Sequence, residues 1–185
     1  MQIGAPWDLL RAGRSRGIHF ARLVGESGKT VIIEPDTDNV AALRRFVEKY
    51  SMTNVIIAPV GAWNKKTRLR FLVDHANPAA NLVEEVVDSS RIDLERFEVT
   101  EIEVDSVENI LRQYSLPTPR LVSITTNGSE NEILKGMTAL AEKLPYIATI
   151  GDESKIPMLR ELHFMKYGVD DRGWTYYHRR AEQIL

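Results

Sequence analysis

Several short stretches hold residues whose types and spacing suit chemistry. In Val31-Ile32-Ile33-Glu34-Pro35-Asp36 a carboxylate stands where a buried, β-branched run stops. At the carboxyl end of a parallel strand such a group faces the ligand crevice. There an ionised carboxylate, which only accepts, can take both hydroxyls of a ribose. Capping of the next helix, or a contact with a surface arginine, would put an acid there equally well. A second stretch, Leu121-Val122-Ser123-Ile124-Thr125, stops at Thr126-Asn127-Gly128, and a helix-like pattern opens at Ser129-Glu130. Strand, tight turn and helix N-terminus is where open α/β sheets hold their ligands. Ile3-Gly4-Ala5 is a third candidate turn, with a glycine that lets backbone come close to a ligand.

Other polar groups point to plainer roles. Arg11, Arg14 and Arg16, spaced by Gly13 and Gly17, could hold a phosphate, but a solvated basic loop is the more common use of such a run. His19, His75, His163 and His178 share no ligand spacing, so no metal site is expected. Asp152-Glu153 and Asp170-Asp171 read as turn acids. Trp7, Trp63 and Trp174 each lie beside a turn and suit core or rim packing.

The elements that must position these residues alternate between strand and helix. Thr30–Glu34, Asn54–Ala58, Leu121–Thr125 and Pro145–Ile150 read as strands. Thr67–Val73 alternates as an exposed or edge strand does, and regularity returns at Phe97–Val104. Helices are expected over Ile18–Val24, from the Asp36–Asp38 caps to Tyr50, from Asp105 or Ser106 to Tyr114, over Ser129–Ala141, and over Ile156–Phe164. Between them, His75–Arg96 is irregular enough to be a lid, a binding loop or a surface excursion. Tyr167-Gly168-Val169 and Trp174–Tyr177 flank Asp170-Asp171-Arg172-Gly173, a hairpin signal. Strands separated by helices imply right-handed βαβ units, a mostly parallel sheet and a three-layer α/β domain, closed by an antiparallel hairpin.

The bulk numbers bound the function classes. A chain of 185 residues most simply forms a single domain, 1–185. With 27% charged residues and a net charge of −2, nothing argues for nucleic acid or a membrane surface. Cysteine is absent, which excludes disulfides and thiolate metal sites. The N-terminal segment lacks the pattern of a signal peptide and no apolar run suits a membrane span, so a soluble, cytoplasmic protein is the default.

Taken in order, Ile3-Gly4-Ala5, Ala21–Gly25, Val31–Asp36, Asn54-Val55, Ala58, Asp105–Leu111 and Gly128-x-Glu130-x-x-x-Leu134-Lys135-Gly136 resemble the blocks of FkbM-type methyltransferases. The similarity runs from about Gly4 to Tyr177. It implies the Rossmann-like class I methyltransferase sandwich, a seven-strand sheet with its last strand antiparallel, and here a shortened first strand. It also implies S-adenosylmethionine as cofactor and methyl transfer to a hydroxyl of a small molecule or glycan. By the same resemblance Gly4 and Ala5 match the methionine-side turn, Glu34 with Pro35 and Asp36 the ribose-binding acid, and Ala58, Val60 and Gly61 the adenine side. Thr125, Asn127 and Glu130 fall at the catalytic turn. FkbM-like chains typically read Lys-Ile-Asp-x-Glu-Gly-x-Glu there, whereas this chain reads Ser123-Ile124-Thr125-Thr126-Asn127-Gly128-Ser129-Glu130. Three ionisable groups are thus neutral, which leaves open the alternative of a catalytically degenerate binding or interaction module.

Overall fold

The computed structural model describes residues 1–88, 93–171 and 173–179. Its elements are β1 (Gln2–Ile3), α1 (Trp7–Arg11), α2 (Arg16–Val24), β2 (Thr30–Ile33), α3 (Thr37–Lys49), β3 (Val55–Ala58), β4 (Gly61–Ala62), β5 (Thr67–Val73), β6 (Leu82–Val83), β7 (Glu98–Asp105), α4 (Val107–Gln113), β8 (Leu121–Ile124), α5 (Glu130–Lys135), α6 (Thr138–Ala141), β9 (Tyr146–Thr149), α7 (Met158–Glu161), β10 (Phe164–Val169) and β11 (Thr175–Arg179).

A seven-stranded sheet of order β10-β11-β9-β8-β1-β2-β3 forms the centre. Its pairs are parallel except around β11, which runs antiparallel to both neighbours. The four residues of β2 are all buried, as a central strand covered on both faces requires. Ile32 faces one apolar cluster with Leu10, Ile18 and Leu43 of α1 to α3. Val31 and Ile33 face another, with Val107, Ile133, Leu140 and Leu159 of α4 to α7. This is the expected α/β three-layer sandwich with a mostly parallel seven-stranded sheet, and β1 is reduced to a stub. Because β1 lies between β2 and β8, the strand order reverses there, and the carboxyl ends of those strands flank a crevice.

The sequence reading missed a second sheet. Thr67–Val73 is not an edge of the main sheet. It pairs antiparallel with β7, from Thr67 opposite Val104 to Val73 opposite Glu98, in a four-stranded sheet of order β4-β7-β5-β6. Phe71, Val73, Ile102 and Val104 pack with Trp63 and Val83 in a cluster of their own. Alternation marks a half-solvated strand but does not name its partner when a long excursion lies between.

Three helices also differ from expectation. Trp7–Arg11 is helical, and Gly13 (φ 70) ends it, with Gly13 N donating to Leu10 O and Arg14 N to Leu9 O. The expected Ser129–Ala141 helix breaks into α5 and α6 at Gly136, whose Cα lies so close to the Trp63 carbonyl that any Cβ would collide with it. The Ile156–Phe164 helix shrinks to α7, because His163 adopts a left-handed φ of 61 and Phe164 opens β10. Within the irregular His75–Arg96 segment and the closing hairpin, positions 89–92 and 172 lie outside the described residues.

Candidate functional site

The crevice at the strand reversal is walled by Gly4, Ala5 and Glu34 on the sheet side, with Thr125 and Asn127 beside them. Opposite stand Phe71, Ile102 and Val104 of the second sheet, and Pro78, Ala79 and Leu82 close over it. Its volume is about 70 Å³, room for a few waters and well below the 300–1,000 Å³ or so of a pocket for a drug-sized ligand.

Glu34 is 3% exposed and directed at its own scaffold. Its Oε2 accepts from Ala5 N at 2.5 Å, while Oε1 accepts from Asp36 N at 3.0 Å and from Asn39 Nδ2 at 3.2 Å. Burial pushes its carboxyl up to about 7, against the opposing pull of those three donors. The carboxylate therefore ties the turn after β1 to the turn after β2.

The backbone donors of the first turn are spent in the same way. Gly4 N donates to Ile33 O at 2.9 Å, Ala5 N to Glu34, and Trp7 N to Asn39 Oδ1 at 2.9 Å, while Pro6 has no N–H. Gly4 holds φ 77 where its Cα approaches the Thr125 carbonyl, so its glycine is needed for backbone against backbone.

At the β8 end, the Thr125 hydroxyl donates to Gly4 O at 2.6 Å and lies 2.8 Å from Ile3 O. Gln2, 1% exposed, supports that corner: its Nε2 donates to Gly4 O at 2.7 Å, and its Oε1 accepts from Gly17 N. Thr126 lines the crevice and donates to Glu130 Oε1 at 2.9 Å. Burial raises the Glu130 carboxyl, opposed by its own N–H, the Thr126 hydroxyl and Gly128 N–H.

The residues singled out from the sequence separate into two groups. Gly4, Ala5, Glu34, Pro35, Gly61, Thr125 and Asn127 come together along the crevice. Ala58 lies in the main core with Val60 packed against that core, Asp36 caps α3 by accepting from Asn39 N at 2.7 Å, and Glu130 stands behind Thr126. Gln2, Asn39 and Asn81 belong to the site although nothing in their spacing announces it. Among the basic residues, Arg16 is pinned: it stacks 3.7 Å over the Trp174 ring and bonds Asp170 Oδ2 at 3.2 Å and Tyr176 OH at 3.1 Å. Among the described residues no group of three or more His, Cys, Asp or Glu could hold a metal ion. Among them, too, no helix is long and apolar enough to cross a membrane.

No protein-family model matches the sequence, and no curated protein matches it. Solved structures do match in shape. The methyltransferase FkbM from Methylobacillus flagellatus KT superposes with a TM-score of 0.55 at 16% identity, covering 95% of this chain and 48% of that one. The precorrin-6y C5,15-methyltransferase from Geobacter metallireducens GS-15 gives 0.44 at 12% identity, covering 95% and 75%, which is too loose to add weight. The chain thus has a methyltransferase fold and spans about half the length of the FkbM structure. At such identity a likeness speaks for architecture alone.

Proposed function

We propose that the crevice binds the adenosyl end of S-adenosylmethionine and that the protein is an FkbM-type O-methyltransferase acting on a hydroxyl of a small molecule or glycan. The observation that carries this reading is the buried Glu34 carboxylate at the carboxyl end of β2, beside the β1 turn where the strand order reverses. The residues present fit the nucleoside end. A carboxylate offers about four lone-pair sites, and three donors occupy Glu34, which leaves room for one ribose hydroxyl. Pro35, Gly61 and Ala62 offer an apolar wall to a base. When bound, the cofactor would supply an electrophilic methyl group on a sulfonium.

The chain's own contribution is placement and exclusion of water. Thr125 and Asn127 can orient an acceptor hydroxyl but cannot take its proton at neutral pH. Thr126 Oγ1 offers a route, because it lines the crevice and already donates to Glu130 Oε1. An acceptor's proton received at Thr126 Oγ1 would release the threonine's own proton to Glu130. Phe71, Ile102 and Val104 keep the opposite wall dry.

Calorimetric titration with S-adenosylhomocysteine tests this reading. We expect micromolar affinity, weakened about tenfold by Glu34→Gln in a variant with an unchanged fold, as for a lost charged hydrogen bond. An unchanged affinity would remove Glu34 from the site. A second reading, a binding or interaction module that transfers no methyl group, is favoured by one observation: every backbone donor of the Gly4–Trp7 turn is already engaged. No heat of binding and no thermal stabilisation at millimolar nucleoside would select it.

A further inference from the structure

The segment from Asp74 to Val83 leaves β5, crosses the mouth of the crevice and enters β6. Its base is built firmly. Asp74, 2% exposed, accepts from Ala76 N and Asn77 N through Oδ1, both at 2.9 Å, and from Arg96 Nε at 2.6 Å through Oδ2. Asn81 Oδ1 accepts from Asp74 N at 2.8 Å, which folds the segment back on itself. Pro78 is buried, and Ala80 N and Asn81 N turn back to Asn77 O and Pro78 O.

The far side is held differently. Asn127 reaches from the β8–α5 turn, on the other wall of the crevice, and its Nδ2 donates to Ala79 O at 2.8 Å and to Asn81 O at 2.9 Å. One nitrogen spends both hydrogens on two carbonyls of the crossing segment. A third, longer contact joins Asn81 Nδ2 to Asp36 Oδ2 at 3.4 Å. A carboxylate in its place could only accept, and two carbonyl oxygens would repel it. The amide at 127 does what an acid there cannot.

We propose that Asn127 is the latch of a strap, residues 74–83, that closes this crevice, and that a ligand enters only when its two bonds break. That the ligand is adenosyl-bearing rests on the function proposed above; the latch itself does not. A segment anchored at Asp74 and at the β5–β6 pairing, and held between them by two solvent-exposed bonds, is suited to unwind locally, opening the Ala80 and Asn81 turn bonds while both ends stay in place.

Hydrogen–deuterium exchange of the Ala80 and Asn81 amides tests it in the wild type, Asn127→Asp and Asn127→Ala. Asn127→Asp keeps the shape of the side chain and removes both donors; Asn127→Ala removes the reach. Both should speed exchange at these amides about tenfold, with the β2 amides unchanged, and Asn127→Asp at least as much as Asn127→Ala. Wild-type rates in both variants would overturn the latch, as would a wild type whose Ala80 and Asn81 amides exchange without protection. If acceleration spreads to β2, exchange of the Asn127→Ala protein at lower temperature separates strap opening from unfolding, and loss of the difference between strap and β2 counts against the latch. Titration with S-adenosylhomocysteine on the same proteins separates the two proposals. Tighter binding by Asn127→Asp, by the same factor as its exchange, supports both, since closure no longer taxes affinity. Faster exchange with no nucleoside binding in any variant upholds the latch and ends the adenosyl reading.

Discussion

Glu34 stands between two opposed demands, a dry surrounding that favours its neutral form and three donors that favour its charged one. Burial prevails, with the folded-state carboxyl raised from 4.5 to about 7. The sign of the pH effect follows. Between those values the native state binds more protons than the unfolded chain, so stability should fall as pH rises from about 4.5 to 7, and the loss persists above. At 1.36 kcal/mol per unit the fall is at most about 3 kcal/mol. Urea midpoints measured from pH 4.5 to 8 should show it in the wild type and not in Glu34→Gln. An acid after a β-branched run was legible as a candidate from the sequence. That its oxygens would be taken by Ala5, Asp36 and Asn39 was not, because those bonds depend on two turns meeting across strands that are far apart in the chain.

At the scale of elements, local pattern gave four parallel strands of the main sheet, β2, β3, β8 and β9, to within a residue or two, while β10 begins three residues before the Tyr167 at which its run was read. Thr30–Ile33, Val55–Ala58, Leu121–Ile124 and Tyr146–Thr149 all lie inside the runs read as strands. Helix ends were harder, since the events that stop a helix can be tertiary. Gly136 is the plainest case. Its neighbours form a good helical pattern, yet the approach of Trp63 O and of Asn64 Cα, 2.9 Å from where a Cβ would stand, divides α5 from α6. Gly136→Ala should therefore destabilise by about 2–3 kcal/mol, the cost of forcing backbone to move, although alanine is the better helix former. A lower urea midpoint with an unchanged slope would show it. A neutral or stabilising result would mean that the Trp63 segment yields. The pairing of β5 with β7 escaped the sequence for a related reason: alternation records which face is wet, and says nothing of the partner.

Across the whole molecule, Arg16 joins parts that the chain order keeps apart. From the start of α2 it reaches the closing hairpin, stacking on Trp174 and bonding Asp170 and Tyr176, with its side chain 16% exposed. The sequence offered this arginine as one of a basic loop; its aromatic and acidic partners lie more than 150 positions on. Arg16→Ala should cost about 2 kcal/mol, from the lost stack and the charged hydrogen bonds, and lower the melting temperature by about 4–8 °C in a chain of this size. Arg16→Lys keeps the charge without the planar stack and should recover only part of that loss. A melting temperature unchanged in both variants would leave the hairpin docked by other contacts.

The brevity of β1 has a mechanical consequence. Gln2 and Ile3 make only two register pairs with Ile32 and Ile33 on one side and two with Ser123 and Ile124 on the other, flanked by the bonds of Gly4 N to Ile33 O and Ser123 N to Met1 O. The middle of the sheet is thus its narrowest seam. Pulled or mildly denatured, the molecule should tear along that line first, parting β2 and β3 from the remaining strands before either half frays, and the crevice would be lost with the first rupture.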